Sequence, residues 1–182
     1  MRRGAVIAIA VLTAVAVSGC TPPPPSGLSV EPGEDFPGTC MPPELSWPTD
    51  FLESLVSEND AVDGELVGLR LVYIDDEWAW RLRSRSPQQD WAGDPIDDPS
   101  SGRESLVTTR ELRTLRTYQV TLTEAEQLPT ASGALAAATE SGETWPSPLI
   151  IDMTRAIESG RAVWRVTTCD TATNEHTVIT VD

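Results

Sequence analysis

In the stretch Glu77-Trp-Ala-Trp-Arg-Leu-Arg-Ser-Arg85, Trp78, Trp80 and Leu82 take every second place, and Arg81, Arg83 and Arg85 take the places between. Side chains of an extended strand alternate between two faces. This period therefore commits the segment to a sheet with one apolar face and one face carrying guanidinium groups. An apolar face that rich in tryptophan needs a covering layer. The preceding sequence supplies one, because Thr49 is a candidate N-cap for a helix over Asp50–Glu58 whose Phe51, Leu52, Leu55 and Val56 fall on one stripe. Between helix and strand, Glu65–Ile74 sets Val67, Leu69, Leu71 and Tyr73 on one side, and Asp75-Asp76 reads as the turn into the tryptophan strand.

From Pro87 to Arg103 the periodicity stops and Gly, Pro, Asp and Gln accumulate, so a long Asp-rich loop is expected over 87–103. Asp94, Asp97 and Asp98 do not follow the spacing of a calcium loop. Strands are expected at Ser105–Leu112 and Leu115–Leu122, and Thr123-Glu-Ala-Glu126 has the form of a capping box for a short turn stopped by Pro129. The second half repeats the plan: a small-residue helix at Ser132–Glu140, and strands at Leu149–Met153, Arg161–Thr168 and Glu175–Val181. Trp80-Arg-Leu-Arg-Ser84 aligns with Trp164-Arg-Val-Thr-Thr168 at an offset of 84, and the same offset sets Phe51 on Leu135. The expected class is α+β, with short helices packed on antiparallel sheet in two units, 47–122 and 123–182.

The N-terminus has a different character. Arg2-Arg3 precede an uncharged run over residues 4–17, and Val17-Ser18-Gly19-Cys20 closes it. This resembles the export signal and lipobox of bacterial lipoproteins, which implies a signal peptide over 1–19, lipid attachment at Cys20, and residence on the extracytoplasmic face of the cell membrane. An uncleaved anchor is the competing reading, but fourteen residues make only about 21 Å of helix against a hydrocarbon core of roughly 30 Å. Residues 20–46 follow as a Pro-rich tether. Polyproline geometry lets the part up to Cys40 reach about 60 Å. A ligand for a proline-binding module is the other use of such a segment.

Removal of the signal leaves eleven arginines and no lysine against 28 acidic residues, a net charge of −17. Such a surface excludes nucleic acid as a partner, since phosphate binding requires a basic face. Of three cysteines, one is assigned to lipid, which leaves Cys40 and Cys169. In an oxidising compartment the pair reads as a disulfide closing a 129-residue loop. Free thiols or a metal pair are the alternatives, but the single histidine, His176, leaves no ligand set at zinc spacing.

The order of helix, strand, Trp-Arg-Val strand, turn and terminal Thr-Val-Ile-Thr-Val strand resembles the PepSY group of small extracytoplasmic domains, over roughly 48–118 and 130–182. That resemblance implies a helix on an antiparallel sheet and a role in restraining peptidases or binding envelope partners. It brings no catalytic residues. No nucleophile elbow, phosphate loop, zinc helix or dinucleotide fingerprint occurs, and His176 lies in a Thr/Val strand, so no enzyme activity, cofactor or metal is expected. Arg81, Arg83 and Arg85 form the one concentrated basic row, a candidate surface for an acidic envelope partner or else a set of local ion pairs. The expected function is non-enzymatic binding or modulation of a cell-envelope protein, a peptidase among the candidates. The alternative is a structural or sensory accessory subunit of an envelope complex.

Overall fold

The computed structural model describes residues 41, 45–57, 60–74, 77–85, 88, 89, 92, 95, 96, 98–144 and 147–182. The expected signal peptide, Cys20, the expected tether up to Cys40, the expected turn at Asp75-Asp76, and Asp94, Asp97, Trp91 and Trp145 lie outside the described residues. Helix α1 (Phe51–Ser57) leads into strands β1 (Glu65–Ile74) and β2 (Glu77–Arg85). A small ladder of β3 (Gln88–Gln89) and β4 (Pro95–Ile96) interrupts the chain before β5 (Ser101–Thr108) and β6 (Thr114–Thr121). Helices α2 (Glu124–Gln127) and α3 (Ala134–Glu140) then precede β7 (Leu149–Glu158), β8 (Arg161–Asp170) and β9 (Glu175–Val181). The long strands form a single antiparallel sheet of seven, ordered β6-β5-β2-β1-β7-β8-β9. The fold is thus α+β.

The two hairpins repeat residue for residue. Adding 84 to each member of the β1·β2 pairs gives a β7·β8 pair: Leu69↔Leu82 becomes Met153↔Val166, and Leu71↔Trp80 becomes Arg155↔Trp164. Even the irregularity repeats, between Leu66 and Gly68 in one hairpin and between Ile150 and Asp152 in the other. The extra residue of a bulge changes the phase of the alternation. Leu66, rather than the expected Val67, accordingly joins Leu69 and Leu71 in the main core cluster. The units meet where β1 pairs with β7, through Gly68↔Thr154, Leu69↔Met153 and Arg70↔Asp152. Under the offset these three pairs map onto themselves, which places a local two-fold axis between Leu69 and Met153.

One face of the sheet carries the core. Trp80 and Trp164 are fully buried beneath Phe51, Leu52 and Leu55 of α1 and Ala134, Ala137 and Ala138 of α3. The Phe51 ring stacks on Trp80 at 5.1 Å between centroids, and Trp47 closes the cluster edge-on at 4.9 Å. The helices do not repeat at 84. Leu135 is exposed, and the buried counterpart of Phe51 is Ala134, one residue earlier. An alanine helix lies closer to its sheet than a Phe/Leu helix, so the two helices keep different registers over matching strands.

Strand bounds differ from the sequence expectation most in β5, β7 and β8, and by one residue in β6. β5 begins at Ser101, inside the expected loop, and ends at Thr108. There Gly102 is obligatory for space, because a Cβ would lie 2.3 Å from Leu122 Cδ2 and 2.9 Å from the Ser84 carbonyl. A Ser-Gly pair that reads as loop composition is in fact a close-packing position. β7 continues past Met153 to Glu158, and β8 past Thr168 to Asp170. The hairpin between them turns at Ser159-Gly160, with φ of 52° and 77°, the left-handed pair that a two-residue antiparallel connection requires.

Candidate functional site

The arginines gather on the sheet face opposite the core and around one end of the strands. Alternation places Arg81 and Arg83 of β2 on this face with Arg70 of β1, Glu104 of β5 and Asp152 of β7. Arg70 Nε pairs with Asp152 Oδ2 at 2.5 Å, Arg83 Nε with Glu126 Oε1 at 3.0 Å, and Arg81 Nε with Glu104 Oε1 at 3.8 Å. Arg70, Arg81, Arg83, Glu104 and Glu126 line a recess of about 190 Å³ together with Gly68, Leu69 and Thr154. Each of the three arginines is already paired with a carboxylate, Asp152 doing so from outside the lining, so little charge is left in the recess to draw in an ion.

Arg83 and Arg85 do a second job. The connection from β6 to α3 has to travel from one edge of the sheet to the other unit, and its carbonyls need donors. Arg83 Nη2 donates to Thr121 O at 3.0 Å, and Arg85 Nη2 donates to Glu126 O at 2.9 Å and to Gln127 O. Arg85 also pairs with Glu65 at 3.5 Å. The capping box expected at Thr123 forms: Thr123 N donates to Glu126 Oε2 at 2.7 Å, and Glu126 N to Thr123 Oγ1 at 3.4 Å. Glu126 therefore caps α2 with one oxygen while its other oxygen faces Arg83. The row Arg81, Arg83, Arg85 is brought together as the sequence suggests, but its contacts are with this chain's own carboxylates and carbonyls.

Arg155 is the member that sequence reasoning missed. It occupies the position equivalent to Leu71, and its side chain is wholly buried. The guanidinium lies 5.0 Å over the Trp164 ring and donates from Nη1 to Glu126 O at 3.3 Å and Leu128 O at 3.0 Å, while Nη2 pairs with Glu65 Oε1. The Trp164 indole N–H donates in turn to Ser132 O at 2.9 Å. The available signal was an arginine standing where the offset of 84 demands leucine.

Cys169 is fully buried in the core cluster and disulfide-bonded. Cys40 lies outside the described residues, but Met41, next to it in sequence, is buried in the same cluster. His176 stands exposed on β9, opposite Cys169. Among the described residues no group of three or more His, Cys, Asp or Glu is placed to hold a metal ion, and no helix is long and apolar enough to cross a membrane. Asp98 folds back on its own turn, accepting from Ser100 N and Oγ at 3.0 and 2.7 Å.

Among the described residues, two carboxyl groups are shifted from their usual range. Glu143 looks into a cleft of about 180 Å³ between α1 and α3, lined by Thr49, Phe51, Leu52, Glu53, Leu135, Ala138 and Thr139. Burial pushes its carboxyl up, the hydrogen bond from Ile150 N opposes this, and the Glu53 charge adds to the rise. Asp170 is held low by the backbone N–H groups of Ala172 and Thr173 in the β8–β9 turn.

Comparison with known proteins adds little. No family model matches the chain, and no curated protein matches it. Among solved structures, a candidate lipoprotein from Clostridium difficile 630 aligns with 76% of this chain and 95% of its own at 11% identity, with a TM-score of 0.35. Similarity at that level transfers neither fold nor function.

Proposed function

We propose that this protein is a lipoprotein held to the extracytoplasmic face of the cell membrane through Cys20, where it binds or modulates another envelope protein without catalysing a reaction. The observation that carries the location is the pairing of a lipobox at Val17–Cys20 with a buried, disulfide-bonded Cys169 in the folded region. A buried disulfide belongs to an oxidising compartment, and the lipobox leads the chain into one. Cys40 is its partner in this reading, since Cys20 goes to lipid and Met41 belongs to the same core cluster as Cys169. The repeated pattern of a helix followed by antiparallel strands supports regarding the units as PepSY-like, with a peptidase among the candidate partners.

Mass spectrometry of the non-reduced membrane fraction tests anchoring and pairing together. A diacylated Cys20 peptide and a bridged Cys40–Cys169 peptide are expected, and Cys20→Ser should move the chain to the soluble fraction. An unmodified Cys20 in a chain that stays soluble would refute the anchor. Crosslinking in intact cells should then recover one stoichiometric envelope protein, and turnover of an envelope substrate by the purified chain would overturn the non-enzymatic reading.

A further inference from the structure

The repeat shows what the outer edge of β9 lacks. Trp80 pairs with Val107 on β5, and its equivalent Trp164 pairs with Val181 on β9, so β5 and β9 hold the same place in the two units at an offset of 74. In the first unit β5 is covered by β6. In the second, β9 ends the sheet, and among the described residues no strand pairs with its outer edge.

Among the described residues that edge lacks most of the features by which proteins usually blunt an exposed strand, the charged Glu175 at its start being the exception. β9 contains no proline or lysine, its pairing with β8 has no register shift, and Val178 at 57% exposure is the most exposed large hydrophobic side chain among the described residues. At the other edge, β6 carries Arg116, is flanked by Arg113, and meets β5 through a bulge.

We propose that β9 receives an extended, basic segment of a partner protein as an eighth, antiparallel strand, in the place that β6 takes on β5. Main-chain hydrogen bonds would supply affinity and alternate side chains specificity, as in strand addition generally. The first unit supplies the template. Val178 is the equivalent of Glu104, whose cross-strand partner is Tyr118, and Thr180 is the equivalent of Leu106, whose partner is Arg116. Glu158 lies beside Thr180, accepting from its hydroxyl at 3.3 Å. The fitting segment therefore presents an apolar or aromatic residue over Val178 and, two residues before it, an Arg or Lys toward Glu158.

Charge selects the occupant. Glu158, Asp170, Glu175 and Asp182 surround the strand, and Arg161 and Arg165 are paired with Asp182 at 3.6 Å and Glu158 at 3.8 Å, leaving an acidic excess. A second copy, itself at net −17 without residues 1–19, would set like charge against like. The chain's own residues 21–39 contain six prolines, three acids (Glu31, Glu34 and Asp35) and no basic residue. Neither suits this edge. The proposal deepens the reading of the protein as a binding module and rests on it.

The test is fluorescence anisotropy with the full chain and a labelled peptide of the β6 sequence, Arg113–Leu122, as probe. Saturable binding is expected, weakened at least tenfold by Val178→Glu and by raising salt. A peptide N-methylated at alternate residues leaves the protein untouched and should not bind. Binding indifferent to both changes, or no saturable binding, would overturn the proposal. So would a concentration-dependent dimer in sedimentation that Val178→Glu abolishes, since a second copy would then be the occupant. A chain that crosslinks to an envelope protein in cells through another surface would refute the β9 edge and leave the binding function standing.

Discussion

Arg155 is the residue on which the two halves of the sequence differ most in meaning. Its equivalent Leu71 packs against Trp80 as plain core, whereas Arg155 holds the Trp164 ring, two carbonyls of the connection and Glu65 at once. A buried guanidinium is costly to desolvate, and here Nη1 and Nη2 find acceptors while Nε has none among the described residues. Arg155→Ala leaves the carbonyls of Glu126 and Leu128 without it and should cost about 3 kcal/mol, at the low end for a broken buried pair because Glu65 is half exposed and keeps Arg85. Arg155→Leu, which refills the volume over Trp164, should cost less than the alanine variant. Urea denaturation checks both, and a loss under 1 kcal/mol for Arg155→Ala would contradict the assigned role.

Elements here depend on what reaches them from elsewhere. β5 starts at Ser101 because Leu122 and the Ser84 carbonyl close over Gly102. Gly102→Ala should therefore destabilise by about 1–3 kcal/mol, the usual range for overpacking, although alanine is otherwise no worse than glycine in a strand. Thermal unfolding would show it, and an unchanged midpoint would mean that Leu122 moves aside freely. The cleft between α1 and α3 gives a second element-scale prediction. Because burial raises the Glu143 carboxyl, this group favours the folded state below its unfolded pKa, and that contribution is lost as pH rises through the folded pKa. Glu143→Gln should accordingly unfold at a higher temperature than the parent at pH 7, with the gap closing near pH 4. A gap that instead widens in acid would reverse the assignment. Asp170 works in the other sense: its stabilising effect on the β8–β9 turn is present at neutral pH and lost as pH falls through its lowered folded pKa.

For the whole molecule, one seven-stranded sheet joins the two units through the short β1·β7 seam, and the buried disulfide at Cys169 adds a constraint from sequence-distant chain. If Cys40 is its partner, the closed loop of 129 residues ranks among those for which chain entropy predicts most, typically about 2–4 kcal/mol in measured proteins. Reduction, or paired replacement of Cys40 and Cys169 by serine, should lower stability by that amount while the two units unfold in one transition. Two separate transitions in the oxidised chain would mean that the seam does not couple the units.

Strand periodicity, the capping box at Thr123, the stripe on α1 and the 84-residue repeat were legible because each depends on chain-neighbour geometry: two faces of a strand, one face of a helix, one turn of backbone. An α+β chain with one tryptophan face and one arginine face was thus readable from residue order alone. What those faces meet was set by packing between elements far apart in the chain. That packing put Ala134 rather than Leu135 under the sheet's cover, because helix depth depends on the bulk of the facing side chains. It carried β5 into an apparent loop, because Leu122 packs there from twenty residues away. It joined the units by β1 and β7 and left β9 at the margin, because strand order depends on which edges find each other across the chain. And it turned Arg83, Arg85 and Arg155 inward onto the β6–α3 connection, because unpaired carbonyls draw the nearest donors whatever their distance in sequence.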